Sequence, residues 1–384
     1  MALMKGHTTI WWPVLRGLWT TRPRVLATDS AGSDALTGHS LSSSIDVLFS
    51  PSQGASMTLC GTDIPPGESE SLQDDQLRKL VDDACARIQA ELSRHAPFLC
   101  DQVRDWMAKL SPTGEAPEYF LQPRSFPLLR LPWWAAKSFA DEPDCEFLAD
   151  VVYSTVNGYY YIRLLDNLMD GHGTVELKIL PATAFFHTEF QGTYHRYFEA
   201  AHPFWEVFRS AWFSGSEAVT REVNLNRIHH EEFERVSVAK LAGARIPVAA
   251  VGFHHGAGER LRCWEEFTLA LARWSQMEDD LFDWHDDLRH GKTSHFLTEA
   301  SRHNEFESVE AWVICEGFQQ GMETLQRELS LLRRLVPSLH SPDVVCYLNL
   351  REAILESLKG RIGEAFQTLR VMASITEPMA KTPD

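Results

Sequence analysis

From Cys145 to Ala373 the apolar residues recur at helical spacing in one segment after another, and almost nowhere do they alternate with the period of two that a strand requires. The spacing predicts helices at about Cys145–Asp170, Ala182–Trp212, Glu217–Ala244, Ala257–Arg289, Phe306–Leu335 and Asp343–Ala373, each bounded by Pro, Gly or Ser. Upstream, Leu77, Leu80, Val81, Ala84, Ile88 and Leu92 predict a helix that opens after Ser71, and Pro97–Leu110 reads as a second, shorter one. Pro112, Pro117, Pro123, Pro127 and Pro132 predict an irregular connection, and Gly243 and Pro247 a break or kink. Helices of this number and length, without internal repeats, predict an all-α chain with a single helical-bundle domain over residues 71–384. Residues 1–70, rich in Ser, Gly, Pro and Thr beyond Asp29, are expected to form an irregular arm.

Composition narrows the function. A chain of 384 residues, 44% hydrophobic and 11% aromatic, can bury a large core. A formal net charge of −17 argues against general affinity for nucleic acid or anionic membranes, because a polyanion is repelled by both. The seven cysteines (Cys60, Cys85, Cys100, Cys145, Cys263, Cys315 and Cys346) are scattered and lack CxxC spacing, so neither a zinc site nor a disulfide scaffold is expected, and a reducing, cytoplasmic compartment is the simpler reading. No apolar run approaches the roughly 18–20 residues that span a bilayer. Residues 1–28 carry Lys5, Arg16, Arg22 and Arg24 without an acid, which faintly resembles an organellar transit peptide, although Pro13 and Pro23 interrupt any amphipathic helix.

Two acidic motifs carry the chemistry. In Leu165-Asp166-Asn167-Leu168-Met169-Asp170, the two aspartates are four apart on one helical face and could share a metal ion. Both stand at a helix C-terminus, where the macrodipole disfavours them. The bland alternative is a solvated helix end leading into Gly171-His172-Gly173. The second motif runs Gln276-Met277-Glu278-Asp279-Asp280-Leu281-Phe282-Asp283-Trp284-His285-Asp286-Asp287, followed by Gly291-Lys292. On one continuous helix its five aspartates fall within roughly 120° of circumference, opposite Leu281, Trp284 and Leu288. A stripe of one sign destabilises a helix unless cations occupy it, whereas a solvated face more naturally mixes signs. Carboxylate oxygens suit magnesium, which keeps several waters and takes its remaining ligands from substrate phosphates. Together the motifs imply a diphosphate held by metal ions that stabilise it as a leaving group.

At these residues the sequence resembles the class I isoprenoid synthases. Asp166 to Asp170 is similar to their DDxxD motif, with Asn167 in the second place. Gln276 to Asp283 is similar to the QxxDDxxD of prenyl diphosphate synthases, while Asp279, Asp283 and Asp287 occupy the ligand positions of the NSE/DTE motif of terpene cyclases. The resemblance implies a class I terpenoid synthase bundle using Mg²⁺, three ions, with Mn²⁺ as a substitute. It implies metal ligands at Asp166, Asp170, Asp279, Asp280, Asp283 and Asp287, of which Asp166, Asp279 and Asp283 carry the catalysis. Chain-elongating synthases have a Gly-Gly-Lys-Arg-like acceptor site early in the chain and two arginines after the first motif; here Gly171, His172, Gly173 and Thr174 follow it. Intramolecular cyclisation is therefore favoured, and the pattern looks most like fungal sesquiterpene cyclases that make humulene from farnesyl diphosphate. A homodimer is an open expectation.

A diphosphate needs cationic partners, for which Arg235, Lys240 and Lys292 are candidates, with Asn167 beside them. A carbocation needs an apolar cavity with π faces. Thr155, Tyr159 and Ile162 share the face of Asp166 one to three turns deeper, and Leu269, Ala272, Ser275 and Gln276 precede Asp279 in the same way. For each of these, core packing is the bland alternative. Four other readings compete, one of them a non-catalytic helical scaffold, which leaves the like-charge stripe unexplained. A prenyl diphosphate synthase or other prenyltransferase is the nearest. An HD-type phosphohydrolase, suggested by His285-Asp286, would call for a transition metal. A di-iron bundle needs two Glu-x-x-His motifs, of which only Glu199–His202 is found.

Overall fold

The computed structural model describes residues 74–111, 116–123, 125–169 and 176–376. The expected arm over residues 1–70, the second aspartate of the first motif, Asp170, and the turn after it lie outside them. The described residues contain helices and no strand, as the periodicity predicts.

In chain order the helices are α1 (Asp75–His95), α2 (Pro97–Leu110), α3 (Ala116–Phe120), α4 (Arg130–Phe139), α5 (Cys145–Met169), α6 (Glu176–Ile179), α7 (Ala182–Tyr194) and α8 (Phe204–Val223). They continue as α9 (His230–Lys240), α10 (Arg245–His254), α11 (Glu259–Phe282), α12 (Trp284–Arg289), α13 (His295–Ala300), α14 (Val309–Trp312), α15 (Phe318–Leu335) and α16 (Pro342–Thr376). A π-helical turn, Val313–Gly317, joins α14 to α15. Capping explains the starts: Asp74 accepts from the Leu77 N–H at 3.0 Å to open α1, and Asp144 from the Phe147 N–H at 3.1 Å to open α5. Within the proline-rich connection, Pro117 and Pro132 sit in the first turns of α3 and α4, where a missing N–H costs nothing.

Three expected helices are each divided, Ala257–Arg289 at Asp283 among them. The segment Ala182–Trp212 breaks after Tyr194 and resumes at Phe204, because Pro203 has no N–H to extend the helix and stands instead at the N-cap of α8. The segment Glu217–Ala244 breaks at Asn224, whose Nδ2 turns back to the Thr220 carbonyl at 2.8 Å. At Gly243 the predicted interruption is a 3₁₀ turn, Ala242–Ala244, between α9 and α10.

α10 has no polar face over its middle turns. Every residue from Ile246 to Gly252 is buried, so it must be surrounded. It packs against α4, α5, α8 and α11. Contact with α11 is close because Gly252 has no side chain: a Cβ there would stand 2.6 Å from Leu261 Cδ1. No single described helix is long and apolar enough to cross a membrane; α9 and α10 reach the length only together, bent by 43°.

α5 packs extensively along α7, and Gly158 permits it, since a Cβ there would lie 2.8 Å from Phe190 Cδ2. Gly158→Ala is expected to destabilise the protein by about 1–3 kcal/mol through overpacking, partly offset by about 1 kcal/mol of gained helix propensity. Denaturant unfolding of the variant checks this, with a lowered midpoint expected.

Candidate active site

Thr155, Tyr159, Ile162 and Asp166 form one stripe along α5. The first three line an apolar cavity of about 80 Å³, together with Phe190 of α7, Trp212 of α8, and Lys240 and Pro247 around the 3₁₀ turn. Asp166 stands one turn above Ile162, only 3% exposed. Burial and the helix C-terminus both disfavour its charge, and Arg163 offsets them, with Nη1 3.6 Å from Asp166 Oδ2. Arg163 was not foreseen in the sequence; its position three residues before Asp166, on the same face, was the available signal. Asn167 points elsewhere. Its Nδ2 donates to Glu176 Oε1 at 3.0 Å, an oxygen that also accepts from the Trp106 indole, so it ties α5 to α6 and α2.

The second motif is not one continuous helix. α11 ends at Phe282 and Asp283 has φ −97° and ψ 4°, yet the Asp283 N–H still reaches the Asp279 carbonyl and the Asp287 N–H the Asp283 carbonyl, both at 2.9 Å. The four-residue register therefore survives the break and keeps Asp279, Asp283 and Asp287 in line. Asp279 and Asp287 are buried and Asp283 is half-buried. The other two aspartates leave the stripe. Asp280 accepts from Gln276 Nε2 at 2.7 Å and from the His295 N–H at 2.9 Å, clipping α11 to the start of α13. Asp286 is exposed beside His290.

α12 closes with a Schellman turn: the Lys292 N–H bonds the Asp287 carbonyl at 2.8 Å, the Gly291 N–H bonds the Leu288 carbonyl at 3.2 Å, and Gly291 takes φ +64°. This turn sets half-buried Lys292 directly after the acidic segment, where a cation also complements the helix C-terminus.

The packing around α10 places the two acidic segments at the same end of the bundle. At one end of α10, His254 stacks on Phe147 of α5 with ring centroids 3.8 Å apart; at the other, Pro247 meets the cavity beside Thr155 and Ile162. α10 thus runs antiparallel to α5. Against α11, Gly252 abuts Leu261 and Arg245 bonds Glu265 at 3.0 Å, so it runs antiparallel there too. α5 and α11 are consequently parallel, and both extend beyond the N-terminus of α10. From Phe147 to Asp166 the rise is about 28 Å, and from Leu261 to Asp279 about 27 Å, at 1.5 Å per residue. By this reckoning the carboxylates of both motifs reach nearly the same height.

The remaining candidates divide. Lys240 lines the cavity with its side chain wholly buried, and Nζ donates to both Glu222 oxygens at 2.6 and 2.7 Å. Arg235 is exposed and does not line the cavity. Leu269, Ala272, Ser275 and Gln276 are buried or half-buried on α11, but none lines this cavity, because α10 stands between α11 and the α5 stripe. Among the described residues, no three His, Cys, Asp or Glu side chains approach closely enough to enclose a metal ion. The donor set of Asp166, Asp279, Asp283 and Asp287 nevertheless fits magnesium, whose hard oxygen ligands are usually one or two carboxylates completed by water and phosphate.

No family model matches the sequence, and no curated protein matches it. Among solved structures the chain is similar to the geranylgeranyl pyrophosphate synthetase from the archaeon Geoglobus acetivorans, with a TM-score of 0.52 and 13% sequence identity over 74% of this chain and 100% of that one. The likeness is one of fold: the chain has the all-α isoprenoid synthase fold.

The contrast between neighbouring aspartates is testable by stability. Asp280→Ala strands two donors, one of them a backbone N–H, and is expected to cost about 2–4 kcal/mol. Asp286→Ala removes an exposed carboxylate beside His290 and should cost markedly less. Thermal midpoints of the two variants without metal check this; equal losses would show that the clip at Asp280 contributes nothing distinct.

Proposed function

We propose that this chain is a magnesium-dependent enzyme that ionises a prenyl diphosphate, and that it is a class I terpene cyclase converting farnesyl diphosphate to a cyclic hydrocarbon such as humulene. The observation that carries the reading is the shared height of the two acidic segments, at the end of the bundle to which the stripe of the aromatic-lined cavity leads.

Asp166 on α5 and Asp279, Asp283 and Asp287 on α11 and α12 are the residues that would hold the metal, with Asp170 joining them by sequence. Bound magnesium supplies positive charge for the departing diphosphate. Lys292 and Arg163 orient the diphosphate from the two sides. The cavity is lined mainly by apolar groups, and Tyr159, Phe190 and Trp212 offer π faces to a cation without acting as nucleophiles. A cavity of about 80 Å³ is smaller than the 150 Å³ that accommodates benzene in an engineered protein, so a prenyl chain must part its walls. The 3₁₀ turn Ala242–Ala244 is the segment placed to yield.

Cyclisation is preferred to chain elongation on two grounds. The sequence lacks the paired basic residues of an acceptor-diphosphate site, and Gln276 and Asp280, which belong to the elongating register, are hydrogen-bonded to each other. Asp279, Asp283 and Asp287, which belong to the cyclase register, keep one line.

Incubation with geranyl, farnesyl and geranylgeranyl diphosphate and Mg²⁺, with and without isopentenyl diphosphate, separates the readings. The expected result is a cyclic hydrocarbon and free diphosphate from farnesyl diphosphate alone, abolished by a chelator. A longer diphosphate formed only with isopentenyl diphosphate would make the protein an elongating synthase. Asp166→Ala is expected to lower diphosphate release at least about 10²–10³-fold, the range lost with one preorganised charge-stabilising group.

A further inference from the structure

Two cavities meet at one pair of hydroxyls. Tyr159 lines the apolar cavity on α5, whereas Tyr119 of α3 lines a separate cleft of about 510 Å³ between α1, α2 and α3. The rim of that cleft is exposed at Asp82, Ala86 and Arg104, and its floor is the buried Cys85, Tyr119 and Tyr160. Through the intervening wall the hydroxyls of Tyr119 and Tyr159 hydrogen-bond to each other. Their rings meet edge to face with centroids 5.8 Å apart, and Phe120 packs on Tyr159 in the same manner at 5.1 Å. Both tyrosines are buried, at 8% and 4% exposure. Two phenylalanines would fill this wall without placing any polar atom in an aromatic cluster, so packing alone does not call for the hydroxyls.

The chemistry supplies a use for them. A prenyl cation becomes an alkene only by losing a proton from a carbon next to the charge, and an apolar cavity lining offers few acceptors. Thr155 already donates to the Val151 carbonyl, and Lys240 to Glu222. Resting on the reading that a cation forms in the α5 cavity, and holding for cyclisation and elongation alike, we infer that the Tyr159–Tyr119 pair carries the terminating proton out of that cavity into the α1–α2–α3 cleft. The C–H bond beside the cationic carbon breaks and its electrons form the double bond. The proton passes to Tyr159 Oη as the Tyr159 hydroxyl proton moves to Tyr119 Oη and that of Tyr119 to water in the cleft. Both tyrosines end neutral, and rotation of the two hydroxyls restores the starting arrangement. Burial pushes both phenols upward, Tyr159 well above the usual tyrosine range, so each enters the relay with a proton to hand on.

The test uses the full chain with Mg²⁺ and each of the three prenyl diphosphates, comparing wild type with Tyr119→Phe, Tyr159→Phe and the double variant. Diphosphate release, hydrocarbon profile and thermal midpoint are read for each. Release should stay within about threefold of wild type in Tyr119→Phe, whose residue does not line the α5 cavity, because ionisation precedes the relay. The profile should shift toward alkenes from other proton losses, or toward alcohols, equally in both single variants and no further in the double. The double variant removes both polar atoms together and keeps the wall's shape, so it remains informative should a single variant unfold. Release with an unchanged profile in Tyr119→Phe or in the double variant overturns the relay alone. A wild-type protein that releases no diphosphate from any prenyl diphosphate overturns the proposed function, and the relay with it.

Discussion

The structure depends on one buried helix. α10 is apolar from Ile246 to Gly252, and a helix without a polar face is stable only when other helices cover it on every side. α4, α5, α8 and α11 do so, and Gly252 lets α11 approach until its Leu261 fills the place of the missing side chain. Because α5 and α11 both run antiparallel to this short helix, they are parallel to each other and overshoot it at the same end. The aspartates that end them are brought level by that packing.

The same geometry concentrates charge where it is least comfortable. Asp166 is almost wholly buried at a helix C-terminus, and Asp279 and Asp287 are buried on the other overshooting segment. Arg163, 3.6 Å from Asp166, offsets part of the cost on α5. Elsewhere, Asp150 is surrounded by Arg87, Arg196 and Tyr197, and Arg351 pairs with Glu278 under Trp274 and Tyr347. Those closed networks hold helices together. The carboxylates at the shared end have a composition suited to binding a hard cation, which is a reason to place function there.

Much of this was legible in the chain. Helical periodicity predicted the all-α class, the span of α5 to within a residue, and the Gly243 interruption, because those signals are local. The stripe of Thr155, Tyr159 and Ile162 was also legible, since it needs only the helical repeat. What failed needed partners distant in sequence. A helical wheel cannot tell that Asp280 meets the N-terminus of α13, fifteen residues on, or that Asn167 meets Glu176 across a turn. Nor can it tell that α10 separates Leu269 and Ala272 from the cavity. Arg235 and Lys240 were equivalent as sequence, yet one is exposed and the other wholly buried against Glu222.

The central claim is that the two level acidic segments act together as one metal-dependent diphosphate site. Titration calorimetry of inorganic diphosphate into the protein, with and without Mg²⁺, tests it without relying on any substrate or product. The account predicts binding only when Mg²⁺ is present, and loss of that binding on replacing an aspartate at either segment alone, Asp166 or Asp279. Diphosphate binding that needs no metal, or that survives both replacements, would contradict it.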